Sequence, residues 1–201
     1  MSVGENIHPI FDKILQRSDK EALLKQRSKV IWMTGLSGSG KSTIAQGVEK
    51  VLHERGFLTK LLDGDNVRTG INKNLSFSED DRLENIRRVA EVSKLFLEGG
   101  IITINSFVSP TYDLRDLARG IVGTEDFVEV YVKASYELCE ERDVKGLYAK
   151  VRAGQIANFT GKDAPFDEPV NPEVVIDTAS QTPEESVAFL VEQILPLIQY
   201  S

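Results

Sequence analysis

Short apolar segments alternate with amphipathic stretches along the chain after residue 28. The apolar segments are rich in β-branched and aromatic residues, and they predict five strands at 29–34, 59–63, 101–106, 127–133 and 173–177. The stretches between them predict helices over 41–55, 78–98, 114–120, 135–141 and 183–199. Because strands that alternate with helices favour parallel pairing through right-handed crossovers, the pattern predicts an α/β fold, with a mainly parallel five-stranded sheet between two helical layers.

Two segments depart from this alternation. Residues 9–27 predict an N-terminal helix whose apolar side chains pack on the core or on a partner subunit; these are Ile10, Phe11, Ile14 and Leu15. Residues 145–165 contain no predicted strand but carry glycines, lysines and arginines. A cationic, glycine-bearing loop of this length is typical of a mobile lid. We therefore divide the chain into an N-terminal helical extension at 1–28 and a domain at 29–201 that includes the lid.

The composition indicates one globular domain, because 201 residues with 41% hydrophobic content can bury one substantial core. A net charge of −7 argues against a nucleic-acid partner, which requires clustered lysine and arginine. We see no secretory signal and no apolar segment of membrane length, so we expect a cytoplasmic protein without a membrane partner. The single cysteine, Cys139, excludes an internal disulfide.

The sequence GLSGSGKS at 35–42 matches the phosphate-loop pattern G-x-x-x-x-G-K-[ST] and lies between a predicted strand and a predicted helix. In this context, backbone N–H groups converge on phosphate oxygens. We expect Lys41 to reach the β- and γ-phosphates of ATP and the Ser42 hydroxyl to bind Mg²⁺. The alternative is a glycine-rich turn that only resembles the motif. The predicted ATP-binding residues here are Gly35, Leu36, Ser37, Gly38, Ser39, Gly40, Lys41, Ser42 and Thr43.

The second predicted strand ends in DGDN, which places Asp63 and Asp65 at the edge where parallel sheets bind ligands. We expect Asp65 to accept a hydrogen bond from an acceptor hydroxyl and Asp63 to hold a Mg²⁺-bound water. A capped turn is the structural alternative. A GTP-driven switch is disfavoured because NKNL at 72–75 lacks the aspartate of a base-reading motif, and an ATP-driven motor because the third strand ends without a carboxylate. These features favour a small-molecule kinase.

Arg68, Arg82 and Asn85 form a predicted anion-binding cluster on the acceptor side. Arg82 and Asn85 are three residues apart near the start of one helix, so they share a face. The cluster predicts an acceptor with negative groups of its own. The alternative is a set of surface ion pairs with the acidic residues at 79–81.

Further segments combine with the phosphate loop into a family resemblance: DGDNVRTGINKNLSF, RLENIRRVAEV, SFVSP, RDVKGLY and NFTGKDAPF. Over residues 28–199, the sequence closely resembles adenylylsulfate (APS) kinases. The resemblance implies the three-layer α/β/α fold of P-loop NTPases and ATP-dependent phosphorylation of the ribose 3′-hydroxyl of adenosine 5′-phosphosulfate (APS). The products would be 3′-phosphoadenylyl sulfate (PAPS) and ADP, with Mg²⁺ as cofactor and a homodimer as the assembly.

The resemblance also implies roles for individual side chains. Phe77 and Phe159 are expected to clamp the APS adenine, with core filling as the alternative for both. Lys145 of the lid is expected to approach the phosphates or the sulfate, and Arg142 either stacks on the ATP adenine or forms an ion pair. Ser109 lies where the family reading places a phosphoserine. Serine without an adjacent base is a weak nucleophile, so we expect it to line the APS pocket. The implied APS contacts are Asp65, Arg68, Phe77, Arg82, Asn85, Ser109, Lys145 and Phe159, and the catalytic group is Lys41, Asp63, Asp65 and Ser109.

The sequence departs from common family forms in several places: Thr111 follows Pro110, Phe166 replaces a lid-exit tyrosine, and the N-terminal helix lacks the tryptophan and histidine pattern of many bacterial members. Two other functions stay open. One is a kinase of the nucleoside-monophosphate type, with the same phosphate loop and a different acceptor. The other is a nucleotide-binding module without turnover, which the intact lysine, serine and aspartates of the motifs argue against.

Overall fold

The computed structural model describes residues 7–200 and contains a parallel sheet of five strands. The strands are β1 (Val30–Thr34), β2 (Thr59–Asp63), β3 (Ile102–Ser106), β4 (Phe127–Lys133) and β5 (Val174–Asp177). They run in the order β2-β3-β1-β4-β5, and each neighbouring pair is parallel. The predicted α/β class and five-stranded sheet are confirmed. The carboxyl ends of all five strands therefore meet at one edge of the sheet.

Helices cover both faces of this sheet. They are α1 (Arg17–Leu24), α2 (Lys41–Glu54), α3 (Gly64–Thr69), α4 (Glu79–Glu98), α5 (Tyr112–Val122), α6 (Tyr136–Arg142), α7 (Leu147–Arg152) and α8 (Pro183–Ile198). The core between the sheet and α2 and α8 includes Ile31 and Ile176, while Trp32 lies in the core beneath α4 and α5. Burial from both sides explains why the central strands are continuous apolar runs in the sequence.

The N-terminal segment differs from the single helix predicted for residues 9–27. A 3₁₀ turn at Phe11–Lys13 precedes α1. Gln16 is the N-cap of α1 and forms a capping box with Asp19. The apolar side chains that were expected to pack are exposed in this chain: Ile10, Phe11, Ile14 and Leu15. The helix is shorter because the local cap at Gln16 separates it from the apolar turn before it.

Two further segments are more helical than the sequence indicates. Residues of the DGDN sequence form the start of α3, because the Asp63 carboxylate accepts a hydrogen bond from the Asp65 N–H and caps the helix. The predicted lid contains α7, whose N–H groups at Tyr148 and Ala149 bind the Asp143 carboxylate. Both helices have six residues and are preceded by an aspartate that accepts from backbone N–H groups of the first turn, and a helix this short is not detected by hydrophobic periodicity.

Residues 17–28 are joined to the amino end of the sheet by buried polar contacts. The Gln26 side chain is fully buried and binds backbone groups of Leu58 and Gly100. Arg17 binds the Asp126 carboxylate, which precedes β4. Burial of Gln26 with all these partners anchors this stretch on the domain. Within residues 7–200, no helix has the length and apolar character needed to cross a membrane.

Candidate active site

The phosphate loop connects β1 to α2 at the carboxyl edge of the sheet. Gly35 has a φ of +148°, and a Cβ there would lie 2.4 Å from the Val132 carbonyl oxygen. The loop therefore passes so close to β4 that a larger residue does not fit. Gly40 is the N-cap of α2 and brings no side chain, so the N–H groups of the first helical turn face the loop without a side-chain cap.

Lys41 is the first residue of α2 and is 8% exposed. Its ammonium group donates hydrogen bonds to the carbonyl oxygens of Gly35 and Leu36 at 2.8 and 2.7 Å. Burial lowers the pKa of Lys41 to about 8, and the nearby Lys145 charge acts in the same direction. The Lys41 ammonium is therefore held inside the phosphate loop by the loop's own carbonyl groups.

Ser42 and Asp63 meet at the mouth of the loop. The Ser42 hydroxyl donates to the Asp63 carboxylate at 2.7 Å, and Ser106 Oγ at the end of β3 lies 3.3 Å from Ser42 Oγ. Asp65, the second residue of α3, forms an ion pair with Lys145 of the lid. The structure thus brings together the two aspartates, the loop serine and the lid lysine that the sequence singled out.

Arg68 and Phe77 lie against each other on the acceptor side. The Arg68 guanidinium is 4.2 Å from the centre of the Phe77 ring and donates to the carbonyls of Leu75 and Ser76. Burial is the largest cause that lowers the pKa of Arg68, and the nearby Arg82 charge adds to it. Phe77 is 65% exposed, so the core-filling alternative does not describe it. Its free ring surface is compatible with stacking on a base.

Arg82 joins α4 to the lid. Its guanidinium donates to the Asn158 carbonyl at 2.7 Å and to the Thr160 hydroxyl at 2.9 Å. These bonds describe Arg82 better than the surface ion pairs considered above. Asn85, one turn later, is buried, and its side-chain oxygen accepts a hydrogen bond from the Asn72 amide. Arg82 and Asn85 therefore share a face of α4, but Arg82 contacts the lid, whereas Asn85 is buried and hydrogen-bonded to Asn72.

Phe159 belongs to an aromatic cluster between the lid and the phosphate loop. Its ring meets the Tyr148 ring edge-on, with centroids 4.9 Å apart, and Tyr148 meets Tyr136 at 5.2 Å. The Tyr148 hydroxyl donates to the Ser37 carbonyl at 2.7 Å. Sequence reasoning did not assign a role to Tyr148. The available signal was the aromatic residue of the KGLY segment in the lid.

Ser109 is 2% exposed and lies in a left-handed conformation with φ of +42°. Its hydroxyl accepts a hydrogen bond from the Trp32 indole at 3.0 Å, and its carbonyl accepts from Arg115 at 2.9 Å. Arg115 also donates to the Asp167 carbonyl at the lid exit. The hydroxyl is thus held inside the pocket wall. Arg115 was missed because its contact with Asp167 joins segments that are remote in the sequence.

Arg142, at the end of α6, lies behind the phosphate loop. It donates to the Thr178 hydroxyl and carbonyl at 3.0 and 2.7 Å and approaches the Gly38 carbonyl at 3.4 Å. Thr178 in turn donates to the Ser39 carbonyl. The guanidinium therefore ties the end of α6 to Thr178 and to the phosphate loop at Gly38. Thr178 was not singled out from the sequence.

A cavity of about 280 Å³ lies elsewhere, between α5 and the segment before β5. Four of its charged lining groups form ion pairs, because Arg115 pairs with Glu129 at 2.8 Å and Arg119 with Glu173 at 2.7 Å. Burial is the largest cause that raises the pKa of Glu129. Because both arginines are paired with carboxylates, we place the candidate active site at the phosphate loop and not at this cavity.

Comparison with known proteins agrees with this geometry. Residues 27–177 match the family model described as adenylylsulphate kinase. The adenylyl-sulfate kinase of Bacteroides fragilis (strain YCH46) is 60% identical over 198 residues, which cover 98% of this chain and 98% of that protein. The adenylyl-sulfate kinase of Bacteroides thetaiotaomicron is 58% identical over 199 residues and covers 99% of both chains.

Solved structures give the same result. The APS kinase of Mycobacterium tuberculosis, in complex with AMPPNP and APS, aligns with a TM-score of 0.81 and 42% identity over 84% of this chain and 98% of that one. A gluconokinase from Sinorhizobium meliloti 1021 aligns over 85% of this chain and 93% of its own, with a TM-score of 0.57. At 16% identity that likeness concerns the fold alone. The family model covers most of the chain and the relatives cover nearly all of it, so this chain belongs to the adenylylsulphate kinase family.

Proposed function

We propose that this chain phosphorylates the ribose 3′-hydroxyl of APS with ATP and produces PAPS and ADP for sulfate assimilation. Near full-length similarity to adenylyl-sulfate kinases supports this pair of substrates. One observation carries the assignment: the phosphate-loop serine, the two DGDN aspartates and Lys145 contact one another in turn at the entrance of the phosphate loop. Phosphoryl transfer requires this combination of a phosphate cradle, a carboxylate beside the acceptor and cations that offset charge.

The nucleotide half of the proposed site is the segment 35–43. Its N–H groups bind the β- and γ-phosphates, and the Lys41 ammonium exchanges loop carbonyls for phosphate oxygens. There it stabilises negative charge on the transferred group. Arg142 stacks on the ATP adenine from its place beside Gly38.

Ser42 and Asp63 would hold Mg²⁺. Their oxygen atoms lie 2.7 Å apart, and hard oxygen donors of this kind suit an ion that completes its shell with phosphate oxygens and water. Within residues 7–200, no three His, Cys, Asp or Glu side chains cluster into an all-protein metal cage, which agrees with an ion shared with a nucleotide. When bound, Mg²⁺ offsets the charge of the phosphates.

The acceptor half presents the 3′-hydroxyl to ATP. Asp65 accepts the hydroxyl proton while the ribose oxygen bonds to the γ-phosphorus and the bond to the ADP oxygen breaks. Asp65 is exposed and paired with Lys145, so binding of APS lets Lys145 turn to the anionic groups of the substrates. The remaining proposed contacts hold the adenine, the sugar and the phosphosulfate; they are Arg68, Phe77, Arg82, Asn85, Ser109 and Phe159.

We also propose a cytoplasmic homodimer. The exposed apolar side chains before α1 offer a surface that a second subunit would cover, because such side chains are rarely left together in water. Light scattering coupled to size exclusion would give twice the chain mass if this holds. A mass of one chain at micromolar concentration would contradict it.

An acceptor panel tests the reaction. Purified protein with Mg²⁺ and ATP should convert APS to PAPS, detected by separation of the nucleotides, and should leave AMP, shikimate and gluconate unchanged. The three control acceptors represent other small-molecule kinases that share a phosphate loop. Transfer to one of them without transfer to APS would overturn the substrate assignment.

A further inference from the structure

Tyr148 lies where the lid meets the phosphate loop. It is 1% exposed, although most of the lid around it is exposed. Its hydroxyl donates to the Ser37 carbonyl at 2.7 Å, across 111 positions of sequence. Its ring packs edge-on against Phe159 with centroids 4.9 Å apart. One side chain therefore touches both a phosphate-binding segment and the lid aromatic assigned to APS.

The hydroxyl bond determines how one peptide of the phosphate loop is oriented. The peptide that joins Ser37 to Gly38 is trans, so its carbonyl and its N–H point in opposite directions. A bond that holds the Ser37 carbonyl toward the lid turns the Gly38 N–H away from the lid. That N–H belongs to the glycine-rich turn whose backbone donors bind phosphate.

The ring contact is held rigidly from the lid side. Asp143 accepts hydrogen bonds from the N–H groups of Tyr148 and Ala149, both at 2.9 Å, and fixes the start of α7. Asp163 accepts from the Phe159 N–H at 2.6 Å. Because both sides of the contact are fixed by hydrogen bonds, a shift of the Tyr148 ring is expected to move Phe159 and the lid segment that carries it.

We propose that Tyr148 is a positioning residue that couples occupancy of the phosphate loop to the lid arm carrying Phe159. Nucleotide phosphates that fix the Ser37–Gly38 peptide fix the Tyr148 hydroxyl, and the ring then holds Phe159 ready for the acceptor. The proposal rests on the proposed function in assigning Phe159 to APS. Such coupling is reciprocal, so APS strengthens nucleotide binding by the same factor.

Calorimetry of the full chain tests this coupling. The dissociation constant of APS is measured with and without saturating Mg²⁺ and AMPPNP, which binds without transfer. In the wild type we expect AMPPNP to strengthen APS binding, and in Tyr148→Phe we expect that factor to fall about fivefold or more. Tyr136→Phe is the matched control, because it removes a hydroxyl from the adjacent ring and leaves the Ser37 bond intact. It should keep the wild-type factor.

The outcomes separate coupling from simple stability. If Tyr148→Phe weakens AMPPNP and APS binding but keeps the wild-type coupling factor, or if the wild type shows no coupling, the proposal is wrong. Amide hydrogen exchange of the wild type requires no variant. AMPPNP alone should slow exchange at 155–164, and unchanged exchange there would also overturn the proposal. A wild type that makes no PAPS but shows this slowing would refute the proposed function and leave the Tyr148 link standing.

Discussion

The phosphate loop and the lid face each other across the proposed site, but they are held in place differently. Half of the residues at 35–42 are buried, and a Cβ on Gly35 would overlap the backbone of β4. In the lid at 145–165, Tyr148 and Val151 are the buried residues. The loop is fixed by close packing at half of its residues, whereas the lid is attached at a few points.

This difference corresponds to two requirements of a transfer reaction. The terminal phosphate has to be held within a fraction of an ångström, which packing against a rigid sheet provides. The acceptor has to enter and its product has to leave, so the segment over it needs contacts that break easily. The hydrogen bonds from Arg82 to Asn158 and Thr160 are of this second kind.

The largest effect is expected at the packed side of the site. Lys41→Ala should lower kcat by about 10²- to 10³-fold, because it removes a buried charge that stabilises the transferred phosphoryl group. Steady-state PAPS formation measures this. Lys50→Ala, on the exposed face of the same helix, is the control and should behave like the wild type. A kcat for Lys41→Ala within threefold of wild type would remove Lys41 from the mechanism.

A pair of glycine variants tests the contrast in packing directly. Gly35→Ala combines left-handed strain with a 2.4 Å contact and should lower the free energy of unfolding by about 3 kcal/mol. Gly146→Ala in the lid has a φ of +64° and no atom within 4 Å of the added Cβ, so strain alone should cost about 1 kcal/mol. Denaturant unfolding measures both. Equal losses would show that the loop is no more tightly packed than the lid.

Arg82→Ala tests the contribution of the lid contacts to binding of the acceptor. Loss of the bonds to Asn158 and Thr160 should raise KM for APS by about 10- to 100-fold, while KM for ATP changes about twofold or less. Initial rates with each substrate varied in turn give both constants. Arg87→Ala, on the exposed face of α4, controls for loss of a surface charge. An equal effect on both substrates would place Arg82 outside the acceptor half.

The lowered pKa of Lys41 predicts a modest pH dependence. The loop needs the ammonium form, so kcat/KM for ATP should fall as pH rises through about 8, by tenfold per unit at most. Lys41→Arg keeps its charge over this range, so the fall should vanish, although the absolute rate is lower. A pH profile of kcat/KM that stays flat to pH 9.5 in the wild type would contradict a lowered pKa.

The same pKa shift has the opposite effect on stability. The pKa of Lys41 is about 8 in the folded chain and near its ordinary value of 10.5 in the unfolded chain. Between these values the unfolded chain binds more protons, so this group raises the free energy of unfolding as pH increases. Activity and stability should therefore move in opposite directions above pH 8, which denaturant unfolding at several pH values can follow.

The fold and the packed half of the site were predictable because their signals are local. The strands are apolar runs, and the phosphate loop is eight consecutive residues with a required order of glycines. The lid contacts were not predictable in the same way. Arg82 meets Asn158 across 76 positions and Tyr148 meets Ser37 across 111, so their partners depend on the folded chain. Asp63 was identified from the sequence, and the capped turn considered as its structural alternative is present, because Asp63 is the N-cap of α3.

Trp32 is the single tryptophan of the chain, and its indole is bonded to the Ser109 hydroxyl. This makes it a built-in optical probe. Tryptophan emission from this chain arises from one location, at the junction of the central strand and the acceptor wall. Rapid-mixing fluorescence should therefore report whether APS reaches the proposed pocket wall at Ser109, without a dye and without any alteration of the sequence.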